Sequence, residues 1–405
     1  MAARLPIELL DRVTQYASMG SQARLSSVSR DVYYVSARVL YESIPRMSIS
    51  RVVQCLVTLS ANPGLACLVR SFSLQLSSSQ VLRPFRTLLA SALRNMNGLH
   101  TLSLLFGRFA ISSVLSQVSC RLTKFVCAVA TSGDSYPISQ FLMTQPTIEG
   151  LNIYCPPNNM SGIGPEALPA LRSLAAPLWL LPKIIVAFRL PHISRLSVLG
   201  EMMDVQDFVL LGAIFELGKP PESMELAIDL DITAEQMDPL NVSAGLALLG
   251  KTAPFINVLM LDIFKGQIKR EGLRNIFLRP PTLPRFPNLK TLIVISPPPT
   301  SCAVICSSPQ ESLPFSSLPE VLVPTRNTLG NISNIPSVLP SPDPTPRLGL
   351  DPTQNLPRPV PNALYDRACH IEILQAWREV NPNLVHVVFP VAVYTYADRK
   401  RRKYN

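Results

Sequence analysis

A short apolar pattern recurs along most of this chain, and it constrains the fold more than any other feature. One apolar residue is followed, three and five positions later, by two more, as in Leu99, Leu102 and Leu104. Successive copies are roughly 22 to 33 residues apart, which is the period of a stacked repeat architecture. The copies begin at Val69, Leu99, Leu122, Ile148, Leu171, Ile193, Ile256, Leu289 and Leu384, with a partial copy at Leu226 to Ile228.

The spacing within each copy predicts one short β-strand. Side chains alternate along a strand, so the second and third apolar residues point to the same face, and the first enters the core from the preceding turn. Helical periodicity lies between copies, at 91–96, 138–143, 208–215 and 371–377. One strand and one helix cannot bury their own apolar faces, but stacked copies can. The sequence therefore predicts an α/β solenoid with a parallel sheet.

The copies are not regular. They lack the asparagine that follows the strand in regular leucine-rich repeats, so we expect an irregular leucine-rich-repeat solenoid. An all-α stack of helical pairs is the alternative. It is disfavoured because the strand segments are rich in Leu, Ile and Val and are bounded by Pro or Gly.

The N-terminal segment carries a different, helical pattern. Pro6 suits the first turn of a helix, and Glu8 suits its dipole. A break is expected at Met19–Gly20, followed by a short second helix and by a third helix that Ser29 caps. The first helix has an apolar stripe on one face, formed by Pro6, Leu9, Leu10, Val13 and Ala17.

This segment resembles the F-box, and the order and spacing agree from Leu5 to Ile44. The residues that carry the resemblance are Leu5-Pro6-x-Glu8-Leu9-Leu10-x-x-Val13, Leu25-x-x-Val28-Ser29-Arg30 and Leu40-Tyr41-x-x-Ile44. Many F-boxes open the second helix with an aspartate–leucine pair, where this chain has Ser21-Gln22-Ala23-Arg24. With the repeats behind it, the chain is similar to fungal F-box-like proteins that carry irregular leucine-rich repeats.

The resemblance implies a function. F-box proteins bind a Skp-type adaptor, and through it a cullin of an SCF-type cullin–RING ubiquitin ligase, while their repeats bind a protein substrate. By motif position, the adaptor contacts would come from Leu5, Pro6, Leu9, Leu10, Val13, Leu25, Val28, Leu40 and Tyr41. The implied fold is an N-terminal three-helix F-box-like unit followed by the solenoid. The chain would then be a non-catalytic substrate receptor.

Two alternatives to this reading stay open. The repeats themselves could cover the N-terminal helices, which would make those helices an ordinary cap of the solenoid. The chain could also be a non-catalytic leucine-rich-repeat scaffold with no ligase role, as the altered start of the second helix and the irregular repeats would allow.

Composition divides the chain into five segments. A Pro- and Ser-rich stretch interrupts the repeats and is expected to be a disordered insertion. The terminal run of five cations, residues 399–403, is expected to be a solvated tail. The alternative is that this run directs the protein to the nucleus or binds nucleic acid weakly. The predicted segments are the F-box-like unit at 1–46, the solenoid at 47–296, the insertion at 297–362, a terminal repeat at 363–396 and the basic tail at 397–405.

Several function classes lack support in the sequence. No transmembrane span or signal peptide is evident, so a cytoplasmic or nuclear protein with buried free thiols, Cys67 among them, is expected. Four histidines and an isolated Cys302/Cys306 pair make a metal site improbable, and no cofactor or nucleic-acid motif is found. No catalytic motif appears, and Asp229 and Asp231 are expected to be surface charges.

Overall fold

Every copy of the repeated pattern forms a strand, and the strands lie side by side in the order of the sequence. A computed structural model describes residues 6–76, 83–106, 112–129, 138–164, 166–188, 192–217, 220–234, 237–265, 268–278, 286–297 and 362–396. Leu5, most of the predicted insertion and the predicted basic tail therefore lie outside the described residues.

The described residues form one sheet of twelve strands. The first eleven strands pair with one another in parallel, and the twelfth pairs antiparallel with the eleventh. The strands are β1 (Ser43–Ile44), β2 (Ser71–Leu76), β3 (Thr101–Phe106), β4 (Lys124–Val129), β5 (Gly150–Tyr154), β6 (Ser173–Pro177), β7 (Arg195–Met202), β8 (Met224–Asp231), β9 (Ile256–Lys265), β10 (Thr291–Ile295), β11 (His386–Phe389) and β12 (Ala392–Thr395).

Helices precede the sheet and connect its strands. Each of the four predicted helical stretches coincides with a helix, although the one predicted at 91–96 ends one residue earlier, at Asn95. The helices of the described residues are α1 (Ile7–Tyr16), α2 (Met19–Leu25), α3 (Arg30–Glu42), α4 (Ile49–Ala61), α5 (Pro63–Ala66), α6 (Arg83–Asn95), α7 (Ser112–Leu115), α8 (Ile138–Met143), α9 (Leu181–Phe188), α10 (Val205–Glu216), α11 (Pro239–Thr252), α12 (Arg270–Phe277) and α13 (Arg367–Val380). None of these helices is both long enough and apolar enough to cross a membrane.

The alternation within each repeat places its apolar residues in one continuous core. Leu99, Leu102 and Leu104 are each at most 1% exposed, and the matching residues of the other copies are equally buried. Backbone bonds keep neighbouring strands in register at their first residues: the amide nitrogens of His100 and Thr101 both donate to the carbonyl of Arg70, at 2.8 and 3.0 Å. The predicted α/β fold with a parallel sheet is thus confirmed.

Two smaller expectations are wrong. Cys67 is exposed, because the short helix α5 ends beside it and turns its side chain outward from the core. Asp231 is buried, because its carboxylate accepts hydrogen bonds from the backbone nitrogen and the hydroxyl of Thr233, at 2.9 and 2.6 Å. A carboxylate satisfied in this way within its own turn can be buried at low cost.

Polar and ring contacts of a buried histidine hold the elements of the last repeat together. His370 is fully buried in α13 and stacks on Phe389 with ring centroids 3.9 Å apart. Its Nε2 lies 2.9 Å from the carbonyl oxygen of Leu364, and its Nδ1 lies 3.1 Å from the hydroxyl of Tyr394. A carbonyl only accepts, so Nε2 carries the proton and neutral Nδ1 accepts from the tyrosine.

Candidate functional site

The candidate site is the surface of α1, α2 and α3, which precede the sheet. α1 begins after Pro6, whose carbonyl accepts from the amides of Leu9 and Leu10 at 3.1 and 3.2 Å. Proline fits here because the first turn of a helix needs no donor from that position. The break between the first two helices lies at residues 17 and 18 rather than at Met19–Gly20, because the hydroxyl of Ser18 caps α2.

The third helix starts where the sequence predicts. The hydroxyl of Ser29 accepts from the amide of Val32 at 3.3 Å, and Asp31 lies in the first turn, where its charge favours the helix dipole. The inner side of the helix is made of small and β-branched side chains: Val35, Ser36 and Ala37 are all buried. These short side chains allow α1 and α2 to pack closely against α3.

A buried glutamine joins the first two helices. Gln22 is 7% exposed, and its Nε2 donates to the carbonyls of Thr14 and Ala17 at 2.9 and 3.0 Å. Both carbonyls lie at the C-terminal end of α1, where the last backbone acceptors lack helical donors, and that of Thr14 also accepts from the amide of Ala17 at 3.2 Å. Gln22 belongs to the four-residue stretch that departs from the F-box pattern, and here it holds α1 against α2.

An ion pair adds a second connection, between the first and third helices. The guanidinium of Arg38 on α3 contacts the carboxylate of Asp11 on α1, and both side chains are partly exposed. Exposed pairs of this kind contribute at most about 1 kcal/mol each. Gln22 is therefore the stronger of the two links, and nothing in the sequence pattern marked it apart from its place in an unusual stretch.

The residues predicted to contact an adaptor fall into two groups. Large parts of Leu9, Val13 and Val28 are open to solvent, at 49%, 59% and 68% exposure, and Pro6 is exposed as well. Four others are half-buried: Leu10, Leu25, Leu40 and Tyr41. Leu5 lies outside the described residues. The assignment of these side chains to an adaptor stays a prediction.

Other large apolar side chains on the same helices are exposed too. They extend the open apolar surface beyond the motif positions, and they are Ile7, Tyr16, Met19, Tyr33 and Tyr34. The described repeats do not cover this surface. We name the exposed apolar side chains of α1–α3 the N-terminal apolar surface.

Tyr41 connects this unit to the repeats. Its ring packs against the continuous core. Burial, together with the nearby Cys55 and Tyr33, raises the pKa of its hydroxyl above the usual value for tyrosine. The hydroxyl is thus neutral throughout the physiological range, and the ring serves mainly to anchor α3 on the first repeats.

No set of side chains in the described residues resembles a metal centre, since no group of three or more His, Cys, Asp or Glu side chains could hold an ion. Asp229, which was expected to be a surface charge like Asp231, also departs from that expectation. Burial first, then the charges of Asp262 and Glu201, raise the pKa of Asp229 to about 6.

Comparisons with known proteins add little to this description of the site. No family model matches the sequence, and no curated protein matches it. One solved structure that resembles the chain is the crystal structure of the Rad7 and Elc1 complex in yeast, at 12% identity and a TM-score of 0.34. The match covers 71% of this chain and 88% of that one. A score this low does not establish a shared fold.

Proposed function

We propose that this chain is a non-catalytic substrate receptor of an SCF-type ubiquitin ligase. Its N-terminal helices would bind a Skp-type adaptor, and through it a cullin, while the repeats would bind a protein substrate. The observation that carries the proposal is the N-terminal apolar surface. Monomeric proteins seldom expose so many large apolar side chains on neighbouring helices unless a partner covers them.

The chemistry of this surface suits a protein partner rather than a small ligand. Leu9 and Val13 lie four residues apart on α1, so they share one face and project in the same direction. Side chains of this kind dock into hydrophobic grooves of partner proteins, where a few central residues supply most of the binding energy.

The test is co-expression of the full chain with a fungal Skp-type adaptor. We compare the wild type with the double variant Leu9→Asp plus Val13→Asp. The expected result is a stoichiometric complex for the wild type and a loss of affinity of at least about a hundredfold for the variant, because two charges would be buried without partners. The matched control is Val209→Asp plus Leu217→Asp, which places the same charges on an exposed apolar residue of α10 and on the exposed apolar residue that follows the helix. Wild-type binding no stronger than that of the double variant would refute the proposal.

A scaffold with no ligase role is the second candidate. The observation in its favour is that Gln22 and the Arg38–Asp11 pair hold the three helices together without any partner. A monodisperse wild-type chain whose α1 amides are protected from hydrogen exchange, and which shows no adaptor binding, would support the scaffold over the receptor.

A further inference from the structure

The N-terminal part of the repeats carries positive charge and no negative charge. Between Glu42 and Asp134 the sequence contains nine Arg and Lys residues and no Asp or Glu, whereas the whole chain has 37 cations and 27 acids. This stretch therefore holds nearly all of the formal net charge of +10. Its described residues form β1 to β4 and α4 to α7. A surface with one sign of charge attracts partners of the opposite sign.

The cations of this stretch have no acidic partners. The ion pairs of the described residues all lie outside it. Arg94 on α6 is held by a neutral group instead, since its Nε donates to the Oε1 of Gln117 at 3.1 Å. An amide oxygen orients the guanidinium but does not neutralise it. The charge is thus available to a carboxylate, which binds a guanidinium more strongly than a neutral acceptor does.

α4 turns an apolar stripe away from the core. Ile49, Val53 and Val57 are spaced by four residues, so they share one face of the helix, and they are 54%, 37% and 50% exposed. The opposite face packs into the core, and Arg51 is the one charged residue of the helix. Helices that are apolar all round are normally buried, so the outward face of α4 favours contact with a partner.

α6 lies beside α4 and turns a polar, basic stripe outward. Arg83, Thr87, Ser91 and Arg94 follow one another at helical spacing, with the two cations at the ends and the two hydroxyls between them. Three of these side chains are exposed and Ser91 is half-buried. The neighbouring helices α5 and α7 contain no charged residue. α4 and α6 therefore present an apolar stripe and a basic stripe side by side.

An open groove of about 450 Å³ lies between the two helices. The amide of Asn95 fixes α6 against α4, because it donates to two carbonyls in the last turn of α4, at 3.1 Å each. The groove is thus part of a rigid helix pair. It is lined by Ser60 of α4 and by Pro84, Thr87, Leu88 and Ser91 of α6.

The outward face of α10 shows how charge sets this groove apart. Val209 and Leu210 are 41% and 42% exposed there, so apolar exposure alone does not distinguish the two places. α10, however, carries Asp207 and Glu216 and no cation. An acidic partner would be repelled at α10 and attracted at the groove, so the charge around the groove selects an acidic partner.

The two parallel walls of the groove favour a helical partner. An extended segment would leave its backbone donors and acceptors against helix side chains, with no strand edge to pair with, whereas a helix pairs its own. The side chains of a third helix can lie between the ridges of two packed helices. Duplex nucleic acid is bound mainly through its phosphates and has no use for the apolar stripe. α4 and α6 have 13 residues each, or ~20 Å, which sets the length of the partner helix.

We infer that the groove between α4 and α6 docks an acidic amphipathic α-helix of a partner protein. This helix lays apolar side chains on Ile49, Val53 and Val57, and it places Asp or Glu side chains against Arg83 and Arg94. We name this site the basic groove. It lies outside α1–α3, so the inference does not rest on the proposed function.

The test uses a fluorescein-labelled helical peptide of about 18 residues, with a Leu stripe at helical spacing and Glu along the adjacent edge. Its comparison peptides carry Lys in place of Glu, or the same residues in scrambled order. Anisotropy titrations of the full chain at low salt should show binding of the first peptide alone. Arg83→Gln plus Arg94→Gln should weaken that binding by about tenfold or more, and so should Val53→Ser plus Val57→Ser. All four positions are exposed, and thermal unfolding should show that both variants fold as the wild type does.

The control variant is Arg172→Gln plus Arg367→Gln, which removes the same charge at exposed positions outside the basic groove and should bind as the wild type does. Equal binding of the scrambled peptide, or unchanged affinity in the Arg83/Arg94 variant, would overturn the inference. Tighter binding of a DNA duplex or of phosphatidylserine vesicles, lost in the same variant, would overturn it as well. The Leu9→Asp plus Val13→Asp variant should bind the peptide normally, and the groove variants should bind the adaptor normally. A failure of one kind of binding with the other intact therefore tells the two proposals apart.

Discussion

The substitution Gln22→Met isolates the link between α1 and α2. Methionine keeps the length and volume of the glutamine but removes both donor bonds to the carbonyls of Thr14 and Ala17. Each bond contributes about 0.5–1.5 kcal/mol net, so the expected loss is about 1–3 kcal/mol. Because Gln22 bonds only within the N-terminal helices, this loss should be local to them.

Native-state hydrogen exchange measures that local loss. Amide exchange in α1 should accelerate about 5- to 150-fold, since 1.4 kcal/mol corresponds to a factor of ten. Exchange in α10 and α11, deep in the repeats, should not change. The control is Gln15→Met on the same helix, where the exposed side chain donates only to Asp11 at 2.9 Å. Unchanged α1 exchange in Gln22→Met, or equal acceleration in Gln15→Met, would refute the role assigned to Gln22.

Two further predictions concern pH. Burial lowers the pKa of His370, so the unfolded chain binds more protons than the folded one below about pH 6.5, and stability should fall as the pH drops from 7 to 5. His370→Gln should reduce this dependence in thermal unfolding, and an unchanged dependence would contradict the assignment. The pKa of Asp229 is raised from 3.8 to about 6, so its charged form destabilises the fold above pH 6. Asp229→Asn should therefore raise the free energy of unfolding at pH 8 by about 1–3 kcal/mol, after allowance for solvent screening. Urea titrations should show this gain at pH 8 and little gain at pH 3.

The strands were predictable because the spacing of apolar residues within each repeat determines which side chains face the core. In Leu122, Phe125 and Cys127 the spacing alone identifies which side chains face the core, and all three are buried. The antiparallel strand β12 escaped prediction because it follows β11 through a tight turn and has no leading apolar residue of its own. The pattern describes a parallel repeat and gives no signal for a strand that ends the array.

The exposed surface and the alignment of side chains across strands were harder to predict from the sequence. The exposure of Val13 and Val28 could not be read from helical periodicity, since the same stripe would result whether the repeats or a partner covered it. The alignment of Glu201, Asp229 and Asp262 on neighbouring strands depends on the register of three strands separated by long connections. The bulge at Gly200 shifts that register, and only the paired backbones reveal where it falls.

The junction between the N-terminal helices and the repeats fixes the orientation of the N-terminal apolar surface relative to the sheet. α3 ends at Glu42 and β1 begins at the next residue, and the carbonyl of Glu42 accepts from the amide of Arg70 at 2.9 Å. No linker separates the N-terminal apolar surface from the sheet. The distance from this surface to any strand is therefore set by the number of strands between them. Removing one repeat between β2 and β7 would bring the N-terminal apolar surface closer to the last strands by ~4.8 Å and rotate one relative to the other by about 20–25°.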